Sequence, residues 1–199
     1  MTWFYKILED LPHVPQHLIE RAYEQMDTEL EQMPQGEQQI DWNKITTDTI
    51  IVDGVKKINA PNLAYSLDDE MRDWVYDNIT DKSVVNIRIA KADTGKDGKD
   101  TNGAHCDLSR NYSLIYLLDG GGEDHKTVFY HEHGKPLLRN NGDRCNDHSL
   151  LDVVESFQIP LRTWTVIQTR ILHGVRNIPR PRISIQVGLN NVEGLGISE

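Results

Sequence analysis

Ala-His-Cys-Asp-Leu-Ser-Arg-Asn-Tyr-Ser-Leu-Ile-Tyr-Leu-Leu-Asp-Gly-Gly-Gly, residues 104–122, carries two signals in one run. From Tyr112 to Leu118 the side chains are aromatic and apolar almost throughout, and three glycines follow Asp119. A short apolar run closed by turn formers reads as a β-strand buried in a sheet. Just ahead of it stands His105-Cys106-Asp107. In extended backbone, residues two apart project to the same side, so the His105 imidazole and the Asp107 carboxylate can meet one metal ion together. Cys106, between them, points the other way and is expected to pack.

The same signals recur outward from this run. Val84–Ala90, Lys126–Tyr130, Trp164–Gln168 and Arg182–Leu189 read as short strands, several rich in β-branched or aromatic residues. Upstream the period changes. From Pro15 to Gln32 the residues Leu18, Ile19, Ala22, Met26 and Leu30, with Met33 just beyond, recur every three or four positions, and Pro15 suits a first helical turn. A second helix is expected from Ser66, its hydroxyl capping toward Asp69, with Leu67, Met71, Trp74, Val75 and Ile79 on its apolar side. Helices followed by many short strands predict an α+β chain whose core is a sandwich or jelly roll. One domain spans 1–199: a helical N-terminal support over 1–80, a strand-built core over 81–190 and a tail over 191–199. Two connections stand out. Ala92–Ala104, rich in Gly and Asp, is expected to be a mobile loop and a lid over a site, and His131–Asp147 is a polar insertion of unassigned structure.

Across 199 residues, 31 acids oppose 21 bases, for a net charge of −10. That excess argues against a nucleic-acid partner, whose phosphates need a broad Lys/Arg surface. No apolar run approaches the roughly 18 residues of a membrane span, and the acidic N-terminus lacks a secretory pattern. A cytoplasmic location is expected, with Cys106 and Cys145 as free thiols. Charge is unevenly spread. Between Pro160 and Arg182 stand Arg162, Arg170, Arg176, Arg180 and Arg182 without one acid, which suits a small anionic ligand.

Two later residues extend the His105–Asp107 pair. His173, in Ile171-Leu-His-Gly-Val175, can complete a two-histidine, one-carboxylate set, which favours non-haem Fe(II) and leaves other positions open. Nine residues on comes Arg182-Ile-Ser184. An Arg-x-Ser at this distance after any of the histidines is expected about 0.05 times by chance. A guanidinium pairs with a carboxylate through two hydrogen bonds, and the serine hydroxyl on the same strand face can add a third. His131-Glu-His133 reads as an exposed pair, and Trp164 as core. Asn86 and Arg88 alternate on one face of an early strand, which lines a cavity or meets solvent.

His105-x-Asp107, His173 and Arg182-x-Ser184 together resemble the signature of the Fe(II)- and 2-oxoglutarate-dependent dioxygenases. Arg110–Gly122, followed by Thr127-Val-Phe129, resembles the prolyl-4-hydroxylase-like branch of that superfamily. The resemblance covers about Val84 to Leu189. It implies a double-stranded β-helix, a cupin-like jelly roll, with iron at its open end held by His105, Asp107 and His173. It implies 2-oxoglutarate chelating that iron, its distal carboxylate on Arg182 and Ser184. It implies Tyr116 as a further cosubstrate ligand, or Leu117 in that place if the register shifts by one. The link Glu123–Lys126 is longer than is usual in the family, and the presence of Asp107 implies hydroxylation rather than halogenation.

The expected activity is hydroxylation of a C–H bond in a peptidyl side chain or small metabolite, with 2-oxoglutarate and O₂ converted to succinate and CO₂. The alternative is a metal-binding jelly roll or structural β-sandwich without turnover. Oligomeric state is not legible in the sequence.

Overall fold

The computed structural model describes residues 3–32, 49–52, 55–58, 62–92, 102–107, 109–120, 126–132, 151–176 and 182–197. In chain order the elements are β1 (Tyr5–Leu8), α1 (Gln16–Gln32), β2 (Thr49–Val52), β3 (Val55–Ile58), β4 (Asn62–Ser66), α2 (Asp69–Asn78) and β5 (Val84–Ala92). Then follow β6 (Asn102–His105), β7 (Tyr112–Asp119), β8 (Lys126–Glu132), β9 (Leu151–Phe157), β10 (Trp164–Gln168), β11 (His173–Arg176) and β12 (Arg182–Leu189). Two antiparallel sheets form the body. The larger runs β1-β10-β7-β12-β5-β4 and the smaller β6-β11-β8-β9, while β2 and β3 pair by themselves. This is the double-stranded β-helix expected from the sequence.

The larger sheet is covered on both faces, and β12 shows why. Its sequence, RISIQVGL, alternates strictly. Ile183, Ile185, Val187 and Leu189 pack into the helix-side core with Leu18, Ile19 and Ala22 of α1 and Met71 and Val75 of α2. Each fully buried aliphatic side chain there contributes about 1.5–3 kcal/mol. The other face of β12 carries Arg182, Ser184, Gln186 and Gly188, because successive strand residues point to opposite sides. That face is buried too, toward the smaller sheet, where Ile115, Leu117, Phe129, Phe157, Ile159 and Ile167 form a second core. A strand with a polar face turned inward marks the place where the fold makes room for chemistry.

The N-terminal third is less purely helical than its periodicity suggests. β1 and β4 extend the larger sheet at its two edges. Ser66 does not cap α2. Its backbone sits in the β4–β5 ladder opposite Arg88, and Asp68 takes the cap, its Oδ1 accepting from the Met71 N–H at 3.2 Å. β6, β9 and β11 were also too short or too polar to stand out. Trp164 is core, as expected, with its indole N–H donating to the Pro12 carbonyl at 2.9 Å. Residues 93–101 of the expected lid and 133–147 of the insertion, Cys145 and His133 among them, lie outside the described residues. No described helix is long and apolar enough to cross a membrane.

Candidate metal centre

β6 and β11 are neighbours in the smaller sheet, and their register sets His105 directly opposite His173. The two imidazole rings lie 4.6 Å apart. Asp107, two residues past His105, is drawn in by its backbone, whose N–H donates to the Thr169 carbonyl at 2.8 Å. Its Oδ1 stands 3.8 Å from His105 Nε2. The structure thus brings the two histidines and the carboxylate expected from the sequence to one corner of the interior.

Hydrogen bonds fix how these groups present themselves. His173 Nδ1–H donates to the Ile171 carbonyl at 2.8 Å, so in the neutral ring Nε2 carries the lone pair that a metal requires. Cys106 packs against the outer cluster of Ala104, Val128, Tyr130, Leu151 and Leu172, in keeping with a packing role. Asp107 Oδ2 accepts from Arg110 Nε at 2.8 Å and from Nη2 at 2.7 Å. Burial pushes the Asp107 carboxyl up, but the charge of Arg110, then those of His173 and His105, and the hydrogen bond from Arg110 outweigh it. The group is held below its ordinary value.

The donors fit a borderline divalent ion, being two imidazoles and an ionised carboxylate. Among the described residues no three His, Cys, Asp or Glu side chains already converge as they would around a bound ion. Ligands at right angles on bonds of about 2.1 Å sit about 3 Å apart, so the 3.8 Å His105–Asp107 gap has under an ångström to close.

Arg182 opens β12 in the larger sheet, yet its Nη1 reaches across the interior to Thr127 Oγ1 of β8 at 3.4 Å. On β8, Thr127 and Phe129 share one face, and Phe129 lies opposite His173 in the ladder. Two strand positions span about 6.6 Å, so the residue that the guanidinium reaches and the residue that pairs with the second histidine are near neighbours on one face of β8. Arg182 is 6% exposed. Burial alone lowers it to about 10, and no carboxylate among the described residues offsets that. Ser184 lies beside it on the same face, its hydroxyl accepting from Gln186 Nε2 at 3.2 Å. Gln186 Oε1 in turn accepts from Arg88 Nε at 3.0 Å and Nη2 at 2.8 Å. Asn86 and Arg88 therefore stand on the inward face, opposite Gly188 and Gln186.

Tyr116 does not join this site. It lies opposite Ile185 in the ladder, on the helix-side face, 1% exposed. Its ring packs 4.8 Å from Trp164 and its hydroxyl meets His13 Nδ1 at 3.3 Å. Leu117, opposite Ser184, holds the inward position. The expectation that Tyr116 binds cosubstrate fails because β7 is buried on both faces and its parity is set by β12. Thr127 and Arg110 are interior residues to which the sequence reading gave no role. Thr127 stood in the Thr-x-Phe motif, and Arg110 looked like the polar lead into a strand.

No protein-family model matches the sequence, and no curated protein matches it. Solved structures do. The epimerase SnoN, in complex with Fe3+, alpha-ketoglutarate and nogalamycin RO, aligns with a TM-score of 0.54 at 9% identity, over 97% of this chain and 82% of that one. AviO1 from Streptomyces viridochromogenes Tue57 aligns with a TM-score of 0.50 at 11% identity, over 93% of this chain and 89% of that one. At such identities the likeness is one of fold. This chain shares the fold of these structures, a double-stranded β-helix.

Proposed function

We propose that the protein is a non-haem Fe(II)- and 2-oxoglutarate-dependent oxygenase. The observation that carries the reading is Arg182, a buried cation with no carboxylate partner among the described residues, facing the same interior as His105, Asp107 and His173. A desolvated charge costs several kcal/mol unless an opposite charge meets it. A bound dicarboxylate would supply that charge at one end and donors to a metal at the other.

In this reading His105, Asp107 and His173 hold Fe(II). Arg182 pairs with the distal carboxylate of 2-oxoglutarate, with the hydroxyls of Ser184 and Thr127 beside it. The iron would supply activation of O₂, coupling decarboxylation of 2-oxoglutarate to succinate and CO₂ with oxidation of a C–H bond. The chain's own task is to orient and to neutralise. His173 is held in one tautomer by Ile171, and the buried apolar cluster of Leu117, Phe129 and Ile167 on the inward side would strengthen the Arg182 contact by keeping water out. Tyr112–Leu118, the glycines at 120–122 and Thr127-x-Phe129 support placement near the prolyl-4-hydroxylase-like branch. A peptidyl side chain or a small metabolite is the proposed substrate, and hydroxylation the proposed outcome.

Anaerobic titration with Fe(II) and 2-oxoglutarate tests the reading. The chelate gives a weak visible charge-transfer band, and admitting O₂ should release succinate, stimulated by the true substrate. A product heavier by one oxygen marks hydroxylation, whereas unchanged mass with inverted stereochemistry marks epimerisation. No band and no succinate would leave a jelly roll without turnover.

A further inference from the structure

Arg110 is 5% exposed and aims two of its nitrogens, Nε at 2.8 Å and Nη2 at 2.7 Å, at one oxygen of Asp107. The other oxygen, Oδ1, is left facing His105 Nε2. We propose that Arg110 is a positioning residue that restricts Asp107 to a single metal-facing oxygen. The proposal rests on the metal reading above and adds to it a constraint on how many positions the protein itself occupies.

The seat of Arg110 is built from three elements. Thr169, in the turn between β10 and β11, donates its hydroxyl to the Arg110 carbonyl at 3.1 Å and its N–H to the Asn111 carbonyl at 2.9 Å. The same residue accepts the Asp107 N–H, so one buried threonine fixes the backbone of both partners. From β5, Asn86 Oδ1 accepts from Arg110 Nη1 at 3.5 Å. From β12, Gly188 leaves the room. A Cβ added there would meet Arg110 Cδ at 2.8 Å and Asn86 Oδ1 at 2.8 Å. Glycine inside a strand weakens it and often marks close approach of another group, and here that group is the arginine stem.

The consequence is chemical. A carboxylate can donate through one oxygen or both, and a two-histidine, one-carboxylate set is useful because positions remain open. A second oxygen from Asp107 would cut the open positions from three to two, fixing where a 2-oxo acid anchored on Arg182 must chelate and leaving no position for O₂. With Oδ2 engaged by the planar fork of Arg110, the third position stays available. The fork also sets a cation beside the metal, which weakens metal binding. Losing Arg110 should therefore spare or tighten metal binding while weakening cosubstrate binding. Ordinary support of a ligand gives the opposite, a fall in metal affinity of about 10- to 100-fold.

The experiment is anaerobic calorimetric titration of the full chain, first with Mn(II) alone and then with 2-oxoglutarate on the Mn(II)-loaded protein. Wild type, Arg110→Gln, Arg110→Lys and Gly188→Ala are compared. In Arg110→Gln the Mn(II) dissociation constant is expected to stay level or fall, and that for 2-oxoglutarate to rise about tenfold or more. Arg110→Lys, which keeps the charge but not the fork, should weaken 2-oxoglutarate by a smaller factor. Gly188→Ala, which leaves every charged group in place and only displaces the fork, should move the two constants in the same senses and keeps the test valid if Arg110→Gln does not fold. Loss of Mn(II) affinity in step with 2-oxoglutarate, or wild-type values for both, would overturn the proposal. A wild-type chain that takes up no Mn(II) overturns the metal reading and the proposal with it.

Discussion

Replacing Arg182 by methionine should push stability and ligand binding in opposite directions. The methionine keeps most of the unbranched stem and removes the guanidinium, which is buried and, among the described residues, bonded only to the Thr127 hydroxyl at 3.4 Å. Exchanging a buried charge for apolar volume is commonly neutral or stabilising by about 1–4 kcal/mol. The stranded Thr127 hydroxyl takes back about 1 kcal/mol. For a chain of this size about 2–4 °C of melting temperature accompanies each kcal/mol, so ligand-free Arg182→Met should melt level with wild type or several degrees above it. Binding goes the other way. A charge-assisted hydrogen bond contributes about 1.5–3 kcal/mol, so the dissociation constant for 2-oxoglutarate should rise about 10- to 100-fold. The assay is thermal unfolding of Mn(II)-loaded protein without oxygen, across a 2-oxoglutarate series. Wild type should gain about 2.7 kcal/mol at a hundred times its dissociation constant, and the variant about 0.4–1.4 kcal/mol at that concentration. A variant that melts below wild type without ligand, yet keeps the full 2-oxoglutarate shift, would refute the reasoning at both ends.

His105→Ala, Asp107→Ala and His173→Ala should each lose most metal, read by elemental analysis after dialysis. Wild-type occupancy in His173→Ala would remove that ligand from the set. Tyr116→Phe should leave the 2-oxoglutarate requirement unchanged, since the ring packs against Trp164 and His13, and should cost about 0.5–1.5 kcal/mol in urea unfolding through the lost hydroxyl contact. Burial raises the Tyr116 phenol above its ordinary value of 10.0. The folded state therefore holds this proton longer than the unfolded one, and stability falls as pH climbs past the unfolded value. Tyr116→Phe should accordingly flatten part of the alkaline loss seen in a pH series of melts. Asp68→Ala, which removes the α2 cap, should cost about 0.5–2 kcal/mol, whereas Ser66→Ala should cost less than half as much.

Much of the site was legible because its residues are chemically distinctive and its strands alternate. Arg182 and Ser184 were placed on one face by the period of β12, and the ladder agrees. His105 and Asp107 were paired by the same two-residue rule, although β6 ends at His105 and the Thr169 contact draws Asp107 in. What escaped was set by partners distant in sequence. Asp68 rather than Ser66 caps α2 because the ladder to Arg88 engages Ser66 first. Arg110 escaped since nothing local says that an arginine three residues past Asp107 folds back onto it. Its signal, a glycine inside β12, becomes readable only once β5, β12 and Arg110 are known to meet.

The exchange of Tyr116 for Leu117 shows where such reading stops. Parity along a strand follows from contrast between its two faces, and β12 offers that contrast, with Arg, Ser and Gln on one side and Ile, Ile and Val on the other. β7 offers none, being buried on both faces from Ser113 to Leu118. A one-residue slip there costs nothing visible in the sequence, though it turns every side chain over. The pairing of β7 with β12 resolves it, setting Leu117 against Ser184 and Tyr116 against Ile185. The polar face of β12 can be buried only toward the smaller sheet, since the other side is filled by the helices. The inward polarity of one strand thus fixes the parity of its neighbour, and with it the residue beside Ser184 on the inward face is aliphatic rather than phenolic.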